Sequence, residues 1–166
     1  MYRITQVLSV GPFASLQRGE RLRAAGVTHI LNVASDPNEL IAELHGFKEI
    51  VWLPLSDSVH IPNHAATEIL DTVHRMVSEP GSHVYVHCAA GQLRSPNVIW
   101  LYLIAVGISA DEARDWIEER SPLASPGDRR LIGPNHVLMA QKHGFANFTH
   151  TRPEIIVPFE TALPRG

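Results

Sequence analysis

Residues 87–95 read His87-Cys88-Ala89-Ala90-Gly91-Gln92-Leu93-Arg94-Ser95, and each feature of that run has a use in holding a tetrahedral anion and attacking it. A loop between the end of a strand and the start of a helix turns successive backbone N–H groups inward, and the helix dipole adds to them, so Cys88 to Arg94 makes a cup for three phosphate oxygens. Gly91 permits backbone dihedrals that a side chain would forbid. Arg94 brings a planar fork able to hold two phosphate oxygens at once. The same positive surroundings lower a thiol from ~8.5 into the range of about 3.5 to 7.5, so Cys88 is expected to be a thiolate at neutral pH. Attack of that thiolate on phosphorus divides hydrolysis into two easier steps. Arg94 and the loop amides then stabilise the charge on the transferring group, and Ser95 can donate to the sulfur as it leaves. An inert buried cysteine is the commoner fate of a free thiol. The accompanying His, Gly, Arg and Ser set that reading aside here.

The elements that must position this loop follow from the flanking pattern. His83 to His87 is apolar except at its ends and reads as a strand, and Ser95-Pro96, as N-cap and first helical residue, opens an apolar helix running to Val106. Upstream, Ile4 to Val10 alternates well enough for an edge strand, and Ser15 to Ala25 is a helix closed by Gly26. Thr28 to Val33 is a short β-branched strand, Pro37 to Leu44 a brief helix ending at Gly46, and Phe47 to Leu55 a buried strand. Ser56 to Asn63 is a loop. Ala65 to Val77 carries apolar residues at helical spacing and stops at Pro80-Gly81. Ser109 with Glu112 forms a capping box for a helix over Ala110 to Arg120, and a last helix runs from Pro134 to His143 before Gly144. Strands alternating with helices predict a three-layer α/β/α domain around a central, mostly parallel sheet. From Phe145 on, three prolines and Ile155-Ile156-Val157 suggest a C-terminal extension packed along its own domain, dividing the chain into residues 1–146 and 147–166.

The bulk numbers are compatible with one domain. At 166 residues, 45% hydrophobic and 19% charged, the chain can bury a sizeable core. Fourteen basic against seventeen acidic residues give a net charge of -3, which offers no general attraction to nucleic acid or anionic membrane. Any anion site must be local. A single cysteine excludes an internal disulfide, and oxidised Cys88 has no resolving partner in the chain, so a sulfenic acid would pass to a sulfenamide or an external thiol. The opening Met1-Tyr2-Arg3-Ile4-Thr5 lacks the apolar core of a targeting segment, which predicts a cytoplasmic protein.

With these residues in view, the loop resembles the signature loop of the protein tyrosine phosphatase superfamily in its dual-specificity branch. Gly26 to Val33 is similar to the family's early strand, Leu53-Pro54-Leu55-Ser56-Asp57 to its acid-loop entry, and Pro134-Asn135 with Leu138 and Gln141 to a late packing element. The resemblance implies the phosphatase fold, no cofactor and no metal, and a phosphorylated protein as substrate and partner. Phosphate transfer from an alcohol or phenol needs an acid for the leaving oxygen. Asp57, 31 residues before Cys88 and in the matching loop, is the candidate. Asp36, at a strand end before Pro37, is the reserve, and Asp71 falls on a helical face. By resemblance His87 holds loop backbone groups beside the thiolate. Asn32 is either a brace for the loop from the neighbouring strand or an ordinary strand-end Asn. His60 and His64 have the spacing of two metal ligands on a helix, but Pro62 lies between them and nothing completes the set.

A short acid loop implies a shallow cleft open to phosphotyrosine and to the shorter phosphoserine and phosphothreonine. Ala89, Ala90, Gln92 and Leu93 are neutral where relatives acting on multiply phosphorylated inositol lipids tend to carry basic residues, and Leu93 is bulkier than the residue often found there. The alternatives are a phosphatase of a non-protein substrate such as an inositol phosphate, lipid or RNA, a non-catalytic phosphate-binding module, and a rhodanese-like sulfurtransferase. The low-molecular-weight phosphatases and arsenate reductases normally open their chains on the cysteine loop. Here it lies past the midpoint.

Overall fold

The computed structural model describes residues 1–145 and 152–160. Within them the strands are β1 (Tyr2–Arg3), β2 (Leu8–Gly11), β3 (His29–Asn32), β4 (Glu49–Trp52) and β5 (Val84–His87). They form one sheet in the order β1-β2-β5-β3-β4, parallel throughout except for the antiparallel β1–β2 edge. The register aligns Gly11 of β2 and Asn32 of β3 with His87 of β5, so three strands end at one level. β5 enters between β2 and β3, and the crevice at such a reversal of strand order, outside the carboxyl ends, is where an open α/β sheet binds its ligand.

Alternation along each strand divides the core between two faces. Ile30 and Tyr85 point toward α1 (Leu16–Ala24) and α2 (Ala42–His45), with Leu22, Leu40 and Phe47. Leu31, Val84 and Val86 point toward α3 (Asn63–Ser78), α4 (Arg94–Ala105), α5 (Ala110–Arg120) and α6 (His136–His143). This is the three-layer arrangement the sequence predicts. Every residue of α4 is buried, as expected of a helix that is apolar around its whole circumference. Ser109 Oγ accepts from Glu112 N at 3.2 Å and caps α5.

Four elements differ from expectation. Ile4 to Val10 is not one edge strand: Thr5 Oγ1 accepts from the N–H groups of Val7 and Leu8, turning the chain between β1 and β2 and placing β2 inside the sheet. Phe47 to Leu55 is not a buried strand. Its paired part is β4, an edge strand with Trp52 39% exposed. The helix expected over Pro37 to Leu44 is confined to α2, where Gly46 with φ 83° closes it. Ser95 and Pro96 are not the cap and first residue of α4: the helix begins at Arg94, so Ser95 sits in its first turn with its hydroxyl left for another partner.

Of the C-terminal stretch, residues 152–160 lie along the domain. Ile155 is fully buried, Thr5 bridges Pro158, and Arg152 donates to the carbonyls of Val77, Glu79 and Ser82. The boundary expected between residues 146 and 147 falls outside the described residues. Among those described, no helix is long and apolar enough to cross a membrane.

Candidate active site

The carboxyl end of β5 delivers Cys88 to the floor of a cleft of about 250 Å³ lined by Asp57, Cys88, Ala89, Ala90, Gln92, Leu93, Arg94, Leu123, Ser125 and Arg130. The loop from Cys88 to α4 is held from outside by its carbonyls. Ala89 O accepts from Phe13 N at 3.0 Å and Gln92 O from Ser125 N at 2.8 Å. Leu93 O accepts from the Asn97 side chain at 2.8 Å. Carbonyls fixed outward leave N–H groups for the inside of the turn, the geometry of an anion cup. Gly91 makes this closure possible for two reasons. Its φ is +74°, and a Cβ there would fall 2.4 Å from Gly11 C and 2.5 Å from Gly11 O.

Cys88 is only 2% exposed, and its Sγ lies 3.3 Å from Ser95 Oγ. Burial alone would push its thiol up. The Ser95 hydroxyl, the backbone N–H groups of Ser95 and Gly91, and the Arg94 charge outweigh burial and hold the thiol below its ordinary value. Arg94, 7% exposed, donates through Nη1 to Ser35 Oγ at 3.1 Å and Leu55 O at 3.2 Å, which orients its guanidinium at the cleft wall. His87 approaches Cys88 O through Nδ1 at 3.2 Å and packs edge-on against Phe13 with centroids 4.9 Å apart. Burial pushes His87 down to about 4, with the Cys88 carbonyl bond opposing and Arg18 adding, so the ring is neutral at pH 7 and Nδ1–H is the donor.

Asp57 reaches the cleft from the exposed loop 56–60 after β4. Asp36 does not: it is exposed, and its backbone carbonyl accepts from Asn32 Nδ2 at 2.9 Å. Asn32 braces this turn rather than the cysteine loop, since its amide also donates to Asn38 Oδ1 at 3.0 Å and accepts from Ala34 N at 2.8 Å. Its effect on the site passes through Ser35, the partner of Arg94. Asp71 lies on the exposed face of α3, paired with His143 at 2.7 Å. His60 precedes α3 and His64 lies within it, so the two do not share a helical face. Among the described residues no three His, Cys, Asp or Glu side chains converge as metal ligands.

Several contributors escaped sequence reasoning. Ser35, Phe13 and Ser125 act from distant segments and carry no local signal. Asn97 does carry one, being polar within the apolar run of α4. Its amide donates to Leu93 O and to Ser125 O, and its Oδ1 accepts from Gly127 N at 2.7 Å, joining the cysteine loop to the 125–127 turn. Size does not locate the site: a larger concavity of about 940 Å³ lies at the amino ends of the strands. Its two arginines are already engaged, Arg3 with Gln6 O at 2.7 Å and Arg152 with Glu79 O at 2.7 Å and Ser82 Oγ at 2.6 Å.

A family model described as "Dual specificity phosphatase, catalytic domain" matches residues 10–135. Dual specificity protein phosphatase 1 of Mus musculus is 28% identical over 174 residues that cover 98% of this chain and 42% of that protein, so the chain spans less than half of this relative's length. Dual specificity protein phosphatase 14 of Homo sapiens is 29% identical, covering 84% of this chain and 74% of its own. Among solved structures, a mouse putative dual specificity phosphatase complexed with zinc tungstate superposes with a TM-score of 0.67 at 23% identity, covering 99% of this chain and 92% of that one. PTPMT1 in complex with PI(5)P superposes at 0.66 with 17% identity, covering 91% and 97%. Both likenesses are of fold.

Proposed function

The chain belongs to the dual specificity phosphatase family, and from that premise we propose that it hydrolyses phosphomonoesters on phosphorylated protein side chains through a phosphocysteine formed on Cys88. The observation that carries the reading is the Cys88 sulfur, 2% exposed and 3.3 Å from Ser95 Oγ, at the floor of a loop whose carbonyls are tied outward, surroundings that favour the thiolate. A thiolate in a cup of N–H groups beside an arginine is placed for in-line attack on a bound phosphoryl group.

In the first step Cys88 Sγ forms a bond to phosphorus as the ester oxygen leaves, taking the proton that Asp57 gives up. The loop amides and Arg94 carry the charge on the three remaining oxygens. In the second step Asp57 takes a proton from water, the water oxygen bonds to phosphorus and the S–P bond breaks. The sulfur departs as thiolate, with Ser95 Oγ–H, already 3.3 Å away, donating to it. Inorganic phosphate is released, and the enzyme returns to its starting protonation.

Protein side chains are favoured by the shape and charge of the cleft. Its acid loop, over residues 56–60, is five residues long and exposed, and Leu123, 70% exposed, also lines it, which suits a broad phosphorylated segment. Ala89, Ala90, Gln92 and Leu93 add no charge to its floor. Arg130, at its edge, is already paired with Asp128 through Nε at 3.0 Å and Nη2 at 2.9 Å. This small positive charge favours a singly phosphorylated side chain over a multiply phosphorylated inositol lipid.

The test is hydrolysis of para-nitrophenyl phosphate across pH, with EDTA and a reductant present. Wild type should turn over, Cys88→Ser should be inactive, and Asp57→Asn should be slower by roughly 10²–10³-fold with its basic limb lost. Acid quench during turnover should trap one phosphate on Cys88. Phosphotyrosine, phosphoserine and phosphothreonine peptides compared with a soluble inositol phosphate then assign the substrate. An inactive wild type would leave phosphate binding without catalysis, or sulfur transfer from thiosulfate, as the function.

A further inference from the structure

The loop that carries Asp57 is exposed from Ser56 to His60 but anchored at both ends by buried residues, Leu55 and Ile61, each 4% exposed. At the first anchor Leu55 N donates to Val33 O at 3.1 Å, and Leu55 O accepts from Arg94 Nη1 at 3.2 Å. The second anchor has the same form with different partners. Ile61 N donates to Leu131 O at 2.9 Å, and Ile61 O faces His136 Nε2 at 2.7 Å. One end of the acid loop is thus fastened by the phosphate-binding arginine, and the other by a histidine at the start of α6.

The hydrogen bonds of His136 fix its chemical form. The side chain is buried, and Nδ1 lies 2.8 Å from Gly133 N. A backbone N–H can only donate, so Nδ1 is the bare nitrogen and the ring proton sits on Nε2, where it is donated to Ile61 O. His60, the last exposed residue of the loop, reinforces the same junction. Its Nε2 lies 3.0 Å from Arg129 O, and its ring stands edge-on to His136 with centroids 6.3 Å apart. Space there is tight: a Cβ at Gly133 would lie 3.0 Å from His60 Nδ1 and 3.4 Å from His136 Nδ1.

We propose that His136 is a positioning residue for the acid loop: as the Nε2–H tautomer it pins Ile61 between the 131–133 segment and α6, and so sets Asp57 over Cys88. The proposal rests on Asp57 being the general acid. A latch four residues from the carboxyl group acts on proton delivery and not on the phosphate cup. Its loss should therefore be felt in proportion to how much the leaving oxygen needs a proton.

The experiment is a series of aryl phosphates running from 2,4-dinitrophenyl phosphate, whose leaving group needs little protonation, to phenyl phosphate, which needs it most. His136→Phe, which keeps a ring and removes both bonds, should slow phenyl phosphate roughly 10- to 100-fold, the range a displaced catalytic group produces. It should leave 2,4-dinitrophenyl phosphate and inhibition by vanadate near wild type. His136→Gln, which can still donate to Ile61 O, should recover most of the loss. In an Asp57→Asn background His136→Phe should add nothing, because the two act as one unit. Equal slowing across the series, or none, overturns the latch while a steep Asp57→Asn series leaves the acid assignment standing. A flat Asp57→Asn series overturns both. If His136→Phe does not fold, His60→Ala carries the test by the same readout. A smaller but steeper dependence on the leaving group is then expected, and an unchanged one overturns the proposal.

Discussion

The proposed phosphate cup over residues 88–94 and the proposed acid loop over residues 56–60 line the same cleft but are held in opposite ways. In the cup, the carbonyls of Cys88, Ala89, Gln92 and Leu93 each have a partner outside the loop, drawn from His87, Phe13, Ser125 and Asn97. Cys88, Gly91 and Arg94 are buried. In the acid loop all five residues are exposed, and among the described residues its members bond one another only between Ser56 and Ser58, at 3.2 Å. Its position comes from the buried anchors Leu55 and Ile61. The difference follows from what each part handles. A cup that stabilises developing charge works by being arranged beforehand, whereas a group that must give a proton, admit water and take a proton back needs access to both ligand and solvent.

If the cup is rigid by construction, its tightest point should be its most sensitive. Gly91→Ala combines a forbidden φ with a backbone collision against Gly11. It should destabilise the fold by about 3 kcal/mol or more and abolish turnover, measured by urea unfolding and by phosphatase assay. A stable, active Gly91→Ala protein would break the comparison at its strongest side. Arg94→Lys ranks next, keeping the charge while removing the fork. Loss of kcat/KM by about 10²–10³-fold is expected, as for removal of a preorganised donor. Ser35→Ala frees one Arg94 bond at 3.1 Å and leaves the fork intact. It should reduce kcat/KM only about 3- to 10-fold, the value of a single net hydrogen bond, so the pair separates holding the phosphate from orienting the holder.

How far each region was legible in the sequence follows the same division. The cup is seven contiguous residues between a strand and a helix, so its chemistry and its backbone demands are written in one place. The three-layer fold was legible because β5, α3 and α4 carry unbroken periodic patterns. The Ile61 anchor of the acid loop is held by Leu131 and His136, 70 and 75 residues later in the chain, and no local pattern marks them. Asn97 carries a signal, a polar residue in an apolar helix, but its tie to Gly127 is set only by packing. β4 misled for a related reason. Ile50 to Leu53, the apolar part of Phe47 to Leu55, suits an edge strand as well as a buried one, and topology alone decides between them. Ser95-Pro96 has the pattern of a helix cap and first turn, but α4 starts two residues earlier, at Arg94, and the Ser95 hydroxyl turns to the sulfur instead.

That hydroxyl offers a sharper probe of the cup. The Ser95 side chain is the largest of the influences that lower the Cys88 thiol against its burial. Removing it in Ser95→Ala should move the midpoint of iodoacetamide alkylation to higher pH. The sign follows from the charge form: losing a donor to the thiolate disfavours the deprotonated state, so more alkaline solution is needed to produce it. Turnover should fall more in breakdown of the phosphocysteine than in its formation, seen as a larger initial burst with a slower steady state. An unmoved alkylation midpoint would assign the lowering to the loop amides and Arg94 alone.

The smallest expected effect lies in the acid loop. Val59, 55% exposed, sits between Asp57 and the Ile61 anchor. If the loop is positioned by its ends, Val59→Ala should change stability by less than about 0.5 kcal/mol, as for exposed positions without special contacts. Its leaving-group dependence should match wild type, because neither anchor has been touched. A loop positioned instead by its own interior would respond differently. Val59→Ala would then loosen Asp57 and slow phenyl phosphate while sparing 2,4-dinitrophenyl phosphate, the pattern assigned above to loss of His136. Measured side by side, the two variants locate the constraint on the acid, in the exposed turn or in the buried residues that close it.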